Sequence, residues 1–445
     1  MRPVPLEQIA EWAGGCLRGG GGRAITSVVK DSRQAVEGSL FVCLKGENTD
    51  GHLYIEEARK RGAAIMGRSS SADIDVDFPE EALAAIAAGY RNSLPALITG
   101  VTGSCGKTTV TRMIEHILSG FLNVAASPAS YNNKLGVSLS IFNIGSETKA
   151  GILELGSNHS GEIEDLCKIA RPWTGVITFI GDAHIGNFGS RAAILEEKLA
   201  LPLSLAPGSS FIYNADIEDL RKSVRSLNGL DLIGYGFSEN ADLRIENYKA
   251  IEGKSSFSLG GEPFFIGNLG AHNVLNSAAA ATVATLYGIS FKSSAARLES
   301  FTLPPQRMQE FTAGGIDFID DSYNSNPSAL KNLFSELLKI HPQRNIIAVL
   351  GQMNELGKYS SELHREAGEF LAGLKNISYI LAGGVDSSSL IEGAIAAGFP
   401  GDRVFKFESH KEAAEIIKEY ALENTLVVLK ASRREGLEKI IGYIK

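Results

Sequence analysis

From about residue 95 onward, short apolar runs alternate with stretches whose apolar residues return every three or four positions. The runs Ala96–Val101, Gly151–Leu155 and Gly175–Ile180 read as buried parallel strands, because they are continuously apolar and short. Between them, apolar positions such as Val110, Met113, Ile114, Ile117 and Leu118 fall on one face of a helix. This rhythm predicts a mostly parallel sheet with helices on both faces. Residues 209–266 break into shorter alternating segments, which predicts an antiparallel extension; helix resumes over 272–287. Leu303-Pro304-Pro305 marks a boundary, beyond which 345–350, 377–381 and 425–429 read as the strands of another α/β unit. Ahead of all this, Ile25–Val29, Leu40–Leu44 and a helical pattern over 54–61 predict a small α/β unit, with Gly19–Gly22 as a hairpin or loop tip. The expected fold is therefore α/β in three domains: 1–85, a central 86–303 whose parallel sheet carries a phosphate loop, and a Rossmann-like 304–445. The length of 445 residues suits that number of domains.

One junction in the pattern carries chemistry. The strand ending near Val101 leads through Gly100-Val-Thr-Gly-Ser-Cys-Gly-Lys-Thr-Thr109 into the 110–118 helix. A glycine loop between strand and helix turns backbone N–H groups and the positive helix end toward an anion. Gly103, Ser104, Gly106 and Thr109 would line that cradle, Lys107 would reach the terminal phosphates of a nucleotide, and the Thr108 hydroxyl would ligate Mg²⁺. The spacing departs from the strict phosphate-loop pattern, since Val101 stands where its first glycine falls.

Composition narrows the ligand. A formal charge of −8 argues against a nucleic-acid or anionic-membrane binder. No run approaches the length of a membrane span, and the N-terminus lacks the apolar core of a signal peptide, so a cytoplasmic protein is expected. Cys16, Cys43, Cys105 and Cys167 form no C-x-x-C pair, which points to reduced, scattered thiols; Cys105 reads as a small loop-filling side chain.

Other positions stay open on their own residues. Glu154, closing a strand beside the loop, is a Mg²⁺ ligand or a solvated strand-end acid. His184, after the run ending at Ile180, is a metal or substrate contact or a structural loop residue. Lys198 lies on a helix that Pro202 is expected to stop, and alone reads as a solvated cation. Asn273 caps a helix or meets a nucleobase. Arg307 follows the domain boundary, where an arginine could swing onto a phosphate. Asp320-Asp321-Ser-Tyr-Asn-Ser-Asn-Pro327 is a helix cap with more polar groups than a cap requires.

The order of these motifs resembles the Mur ligase family: GSCGKTT, YNNKLGVSLS (131–140), ELGSNHSGEI (154–163), GDAHIGNFGS (181–190), GAHNVLN (270–276), DDSYNSNP (320–327) and LGQMNELG (350–357). In the first domain Asp31-Ser32-Arg33, Gly38-Ser-Leu-Phe41 and Asp50-Gly-His52 are similar to that family's uridine-nucleotide unit. The resemblance implies a monomeric ATP- and Mg²⁺-dependent amide ligase of peptidoglycan precursor synthesis. It would join D-alanyl-D-alanine to a UDP-N-acetylmuramoyl tripeptide through an acyl phosphate. By the same resemblance Lys107 contacts the β/γ-phosphates, Thr108 and Glu154 hold one Mg²⁺, and His184 with a carbamylated Lys198 serves a second. Asn273 would face adenine, Asp321 the ribose and Arg307 the transferred phosphate, while Asp31, Ser32 and Arg33 lie near the uridine-diphosphate end. Gln352, Phe179 and Ala431 depart from the family pattern, and Gln352 and Ala431 leave open a different incoming amine. A nucleotide-binding regulator without ligase activity is the alternative of another class.

Overall fold

The structure, a computed structural model, describes residues 1–46, 49–128, 130–251, 254–267 and 270–444. Its α/β character and its parallel central and C-terminal sheets follow the expectation.

In the N-terminal part, Ser27–Val29, Ser39–Val42, Ala64–Gly67 and Ile74–Asp75 pair in parallel, and Cys16–Leu17 adds an antiparallel edge. Gly19–Gly22 is a loop and not a hairpin, because the strands on either side of it belong to different sheets: Cys16–Leu17 pairs with Ile74–Asp75, and Ala24–Ile25 with Val4–Pro5.

Among the described residues the central sheet has nine strands. Val124–Ala126, Ala150–Glu154, Leu97–Thr102, Thr174–Ile177, Ser210–Asn214, Asp231–Gly236 and Leu243–Ile251 lie side by side and parallel. Only Lys254–Leu259 and Glu262–Ile266 turn antiparallel, so the parallel part runs further than the alternating pattern suggested. For Ser210–Asn214 and Asp231–Gly236 the physical reason is the intervening helix Glu218–Val224, which supplies the crossover a parallel pair needs; Leu243–Ile251 joins through two residue pairs at its start. Leu97–Thr102 sits between Ala150–Glu154 and Thr174–Ile177, where the direction of strand succession changes. The crevice beyond the carboxyl ends of strands at such a point is where open α/β sheets take ligands.

The C-terminal sheet orders Gln309–Ala313, Ile316–Asp320, Thr425–Lys430, Asn345–Leu350, Ile377–Ala382 and Val404–Lys406, all parallel but the first. Apolar clusters cover both of its faces. The helix Arg191–Leu203 includes Pro202 instead of stopping before it. In the last turn the missing N–H costs only one i→i−4 bond, and the helix ends at Ser204.

The helices Ser360–Ala372 and Ser387–Ala396 touch backbone to backbone through two glycines. A Cβ on Gly368 would lie 2.0 Å from the Leu390 carbonyl oxygen, and one on Gly393 would lie 2.1 Å from that of Arg365. Neither obstacle is a flexible side chain. Gly393→Ala is therefore expected to destabilise the protein by about 1–3 kcal/mol, the range for forced overpacking. A urea or thermal melt reads this directly, and an unshifted transition would contradict the close approach.

Candidate active site

The phosphate loop is held by its neighbours. Gly103 has φ +142°, and a Cβ there would meet the Thr178 hydroxyl at 2.2 Å; Gly106 has φ +85°, and a Cβ would meet Asn276 Oδ1 at 2.7 Å. Both positions thus exclude a side chain by backbone angle and by space. The Ser104 N–H donates to the Phe179 carbonyl at 2.8 Å, and the Gly181 N–H to Ser104 Oγ at 2.9 Å. Thr178 Oγ1 donates to the Thr102 carbonyl at 3.2 Å and also reaches that of Cys105. These bonds pin the loop to the 178–181 segment. Lys107 opens the helix Lys107–Leu118 and folds its Nζ back onto the Gly103 carbonyl, 2.8 Å away.

Thr108 and Glu154 meet. Thr108 Oγ1 donates to Glu154 Oε2 at 2.8 Å, and Glu154 Oε1 accepts from Asn132 Nδ2 at 2.7 Å. Glu154 is 2% exposed, so the solvated strand-end reading falls. Arg307, from beyond the domain boundary, donates to the same Thr108 hydroxyl at 3.1 Å while its guanidinium lies 4.2 Å above the Tyr323 ring.

Lys198 is no solvated cation either, at 2% exposure, and its Nζ donates to Ser157 Oγ at 2.6 Å. Burial, then the charge of Lys107, pushes its pKa down to about 7 against the opposing pull of Glu197 and Glu162. Glu197 is occupied elsewhere, accepting the N–H groups of Gly161 and Ile163 at 2.7 and 2.8 Å where the helix Glu162–Ala170 begins. His184, in a left-handed conformation at φ +61°, sets Nδ1 against the Glu355 carboxylate of the C-terminal part. That contact holds Glu355 below the usual carboxylate range.

One cavity of about 1050 Å³ joins Lys107, Thr108, Glu154, His184, Asn273, Arg307 and Asp321. Asn273 is the third residue of the helix Ala271–Thr285, whose N-cap is Gly270, so it is not the cap. Asp321 Oδ2 accepts from the buried Lys430 Nζ at 2.6 Å and Oδ1 from the Met308 N–H at 3.1 Å. In the same segment the cap reading holds for Asn326, which accepts the Ala329 N–H at 2.9 Å. Lys198 does not line the cavity, but its partner Ser157 does. Asp31, Ser32 and Arg33 lie outside it. Asp31 caps the turn Ser32–Gln34, and its hydrogen bonds with Arg33 hold its pKa down to about 2. Ser32 Oγ donates to Glu57 at 2.8 Å.

Of the two pairs expected to hold Mg²⁺, Thr108 and Glu154 touch each other, while His184 and Lys198 each contact another residue. Among the described residues no three His, Cys, Asp or Glu side chains converge on a point. Thr108 and Glu154 are adjacent oxygen donors on the cavity wall, which is the chemistry Mg²⁺ takes. His184 and Lys198 face Glu355 and Ser157 instead. Four cavity residues carry positive φ without being glycine: Ser130, His184, Met308 and Glu355. Strain of this kind gathers where a site over-determines its backbone. Asn132, Ser157, Glu355 and Lys430 received no role from sequence. The first three lie inside quoted motifs, and Lys430 shows only as a cation closing an apolar strand.

Family models match over most of the chain: the Mur ligase family catalytic domain over 24–97, the Mur ligase middle domain over 101–284, and the Mur ligase glutamate ligase domain over 306–433. The UDP-N-acetylmuramoyl-tripeptide–D-alanyl-D-alanine ligase of Bacillus subtilis (strain 168) is 32% identical over 428 residues, covering 94% of this chain and 92% of the relative. The ligase of the same name from Escherichia coli (strain K12) is 29% identical and covers 100% and 99%. A crystal structure of MurF from Acinetobacter baumannii superposes with a TM-score of 0.89 at 26% identity, over 100% of this chain and 99% of that one. MurF ligase from Thermotoga maritima in complex with ADP gives 0.83 at 27% identity, over 94% and 96%.

The Lys198 environment sets a measurable sign. Between its folded pKa of about 7 and its ordinary value of 10.5, the unfolded chain holds a proton that the folded chain lacks. Stability contributed by this residue therefore rises with pH across that window. Against Lys198→Met, the wild type is expected to gain in urea midpoint as pH rises above neutrality in CO₂-free buffer. Parallel pH profiles for the two proteins would contradict the burial of a free amine.

Proposed function

The chain belongs to the Mur ligase family, and from that membership and the cavity we infer an ATP-dependent ligase that joins D-alanyl-D-alanine to UDP-N-acetylmuramoyl tripeptide in peptidoglycan precursor synthesis. The observation that carries the reading is that one cavity brings together a phosphate loop with Lys107 and, from beyond the domain boundary, Arg307, whose guanidinium reaches the Thr108 hydroxyl that also bonds Glu154.

The reaction's difficulty is charge. A peptide carboxylate must attack the γ-phosphorus of a polyanion, so catalysis amounts to positioning and charge compensation. We assign the loop N–H groups and Lys107 to the β/γ-phosphates and Arg307 to the transferred phosphoryl group. The carboxylate oxygen bonds to phosphorus as the bond to the β-bridging oxygen breaks and ADP leaves. The D-alanyl-D-alanine amine then attacks the acyl carbon, loses a proton, and expels phosphate as the amide forms. Thr108 and Glu154 would hold Mg²⁺, which supplies further neutralisation of the triphosphate. Asn273 and Asp321 are assigned to adenine and ribose. Residues 1–85, with Asp31, Ser32 and Arg33, are assigned to the uridine-diphosphate end, 86–303 to ATP, and 304–445 to closure and the dipeptide. From the same family membership we infer a cytoplasmic monomer. Gln352 and Ala431 line no part of the cavity.

We propose that Lys198 works as a carbamate. It is buried, one hydroxyl from the cavity, and near enough to Lys107 for repulsion. With its pKa drawn down to about 7, the amine is available in its neutral form near neutrality; its nitrogen bonds to the CO₂ carbon and gives up one N–H proton to solvent, and the resulting carbamate is an anion with oxygen donors that suit Mg²⁺. With His184 it would serve the second ion.

Lys107→Ala is expected to lower turnover by roughly 10²–10³-fold or more, the scale for losing a transition-state charge contact. Phosphate release dependent on UDP-tripeptide and dipeptide, with the product weighed by mass spectrometry across a dipeptide panel, measures this and the amine together. Near-wild-type turnover in a folded variant would remove the loop from the mechanism. Lys198→Ala is expected to lose most activity while keeping ATP binding, with partial return on adding acetate or formate. Full activity in CO₂-depleted buffer would refute the carbamate.

A further inference from the structure

The segment Gly351–Gly357 carries Asn354 and Glu355 into the cavity, and Glu355 stands there at φ +65°. A non-glycine residue in that region persists only when its surroundings fix it. Part of the fixing lies inside the C-terminal part, at Gln352, which is only 8% exposed. Its Nε2 donates to Asp386 Oδ2 at 2.7 Å and to Ser360 Oγ at 3.2 Å, while its Oε1 accepts the Asp386 N–H at 3.0 Å. Ser360 Oγ donates to the same Asp386 oxygen at 2.6 Å. His364, 2% exposed, accepts the Met353 N–H on Nε2 at 3.0 Å and turns Nδ1 to the Ser360 carbonyl at 2.7 Å. The segment's backbone is tied further: the Ser432 N–H donates to the Gln352 carbonyl at 3.0 Å, and the Asn354 N–H to Ser432 Oγ at 2.8 Å.

This arrangement asks one thing of position 352. The side chain must donate to a carboxylate and accept from a backbone N–H at once, without charge. A carboxamide does both; a carboxylate accepts only, and an ammonium donates only. We propose that Gln352 is a positioning residue for the ligase reaction, its carboxamide locked to Asp386 so that the 351–357 segment presents Glu355 to His184. The proposal rests on the ligase reading above.

Replacing the carboxamide by an isosteric carboxylate sets two carboxylates at hydrogen-bond distance, and one of them then keeps a proton to higher pH. The charged or titratable groups around the position are Asp386, His364 and Glu435, the last facing the Gln352 N–H and joined through its carbonyl to His410. Burial raises the pKa of Asp386, but hydrogen bonds from Ser360 and Gln352 and the proximity of His364 bring it below the usual range.

The test compares kcat of wild type, Gln352→Glu and the double variant Gln352→Glu/Asp386→Asn across pH, with unfolding midpoints alongside. Gln352→Glu is expected to lose roughly 10- to 100-fold in kcat at alkaline pH, the scale for a misplaced catalytic segment. Its ratio to wild type should climb as pH falls and the carboxylate pair takes up a proton. The double variant, with amide and acid exchanged, should return close to wild type at alkaline pH. A ratio flat with pH, or a double variant no better than the single one, would overturn the positioning role. If Gln352→Glu does not fold, the double variant decides alone: wild-type kcat supports the exchange and a low kcat refutes it. A wild type that forms no amide with UDP-tripeptide and D-alanyl-D-alanine would instead overturn the ligase reading, and the positioning role with it.

Discussion

The Thr108 hydroxyl is the point on which the two halves of the site depend. It donates to Glu154 within the central sheet and accepts from Arg307 of the C-terminal part. A hydroxyl has one proton and two lone pairs, so it can serve an acid on one side and a cation on the other. Its place is fixed because it stands in the first turn of the Lys107–Leu118 helix, directly after a loop whose two glycines admit no Cβ. The loop stays where it is because Ser104 and Thr178 tie it to the 178–181 segment. The same few bonds therefore set the anion cradle, the buried acid and the approach of the arginine.

Around this point the chain assembles cations that have little reason to be together without an anionic ligand. Lys107 turns onto a backbone carbonyl, Lys198 lies buried against a serine, and Arg307 stacks on an aromatic ring. Lys430, 3% exposed, gives its ammonium to the Asp321 carboxylate and to the carbonyls of Asp321 and Asn324. Holding such groups in low dielectric costs stability, and Lys198 records the cost by keeping its proton less tightly. A bound triphosphate reverses the balance, since charge compensation preset in a water-poor site needs no reorganisation during the reaction.

The seam between the central and C-terminal parts is built backbone to backbone. The Gly186 N–H donates to the Glu355 carbonyl at 3.2 Å, and a Cβ on Gly186 would lie 2.5 Å from the Gly357 nitrogen. His184 and Glu355 meet across this seam, each in a left-handed conformation that a non-glycine residue adopts only under constraint. Contact at this range leaves no slack, so small shifts in the 351–357 segment are felt directly at His184.

The alternation of buried runs with helical periodicity was enough to predict the α/β class, the parallel central sheet and a separate C-terminal sheet, because period and burial are local properties of the chain. The glycine loop was legible for the same reason: positive φ and a helix start are written in neighbouring residues. Pro202 misled because its effect depends on how near the helix is to its end, which no local rule states. Glu154, Lys198 and Asn273 each had an ordinary reading that only three-dimensional placement removed. Burial of Glu154 comes from its strand lying beside Leu97–Thr102 and from Thr108 and Asn132 closing on its carboxylate, and burial of Lys198 from the packing of its helix against the Glu162–Ala170 helix. Contacts such as Arg307 on Thr108, Asn132 on Glu154 and Gln352 on Asp386 span 22 to 199 residues of sequence. A pattern read along the chain identifies which residues carry donors, acceptors and charge. Which of them meet, and whether water is excluded when they do, is decided by the packing of sheets and domains.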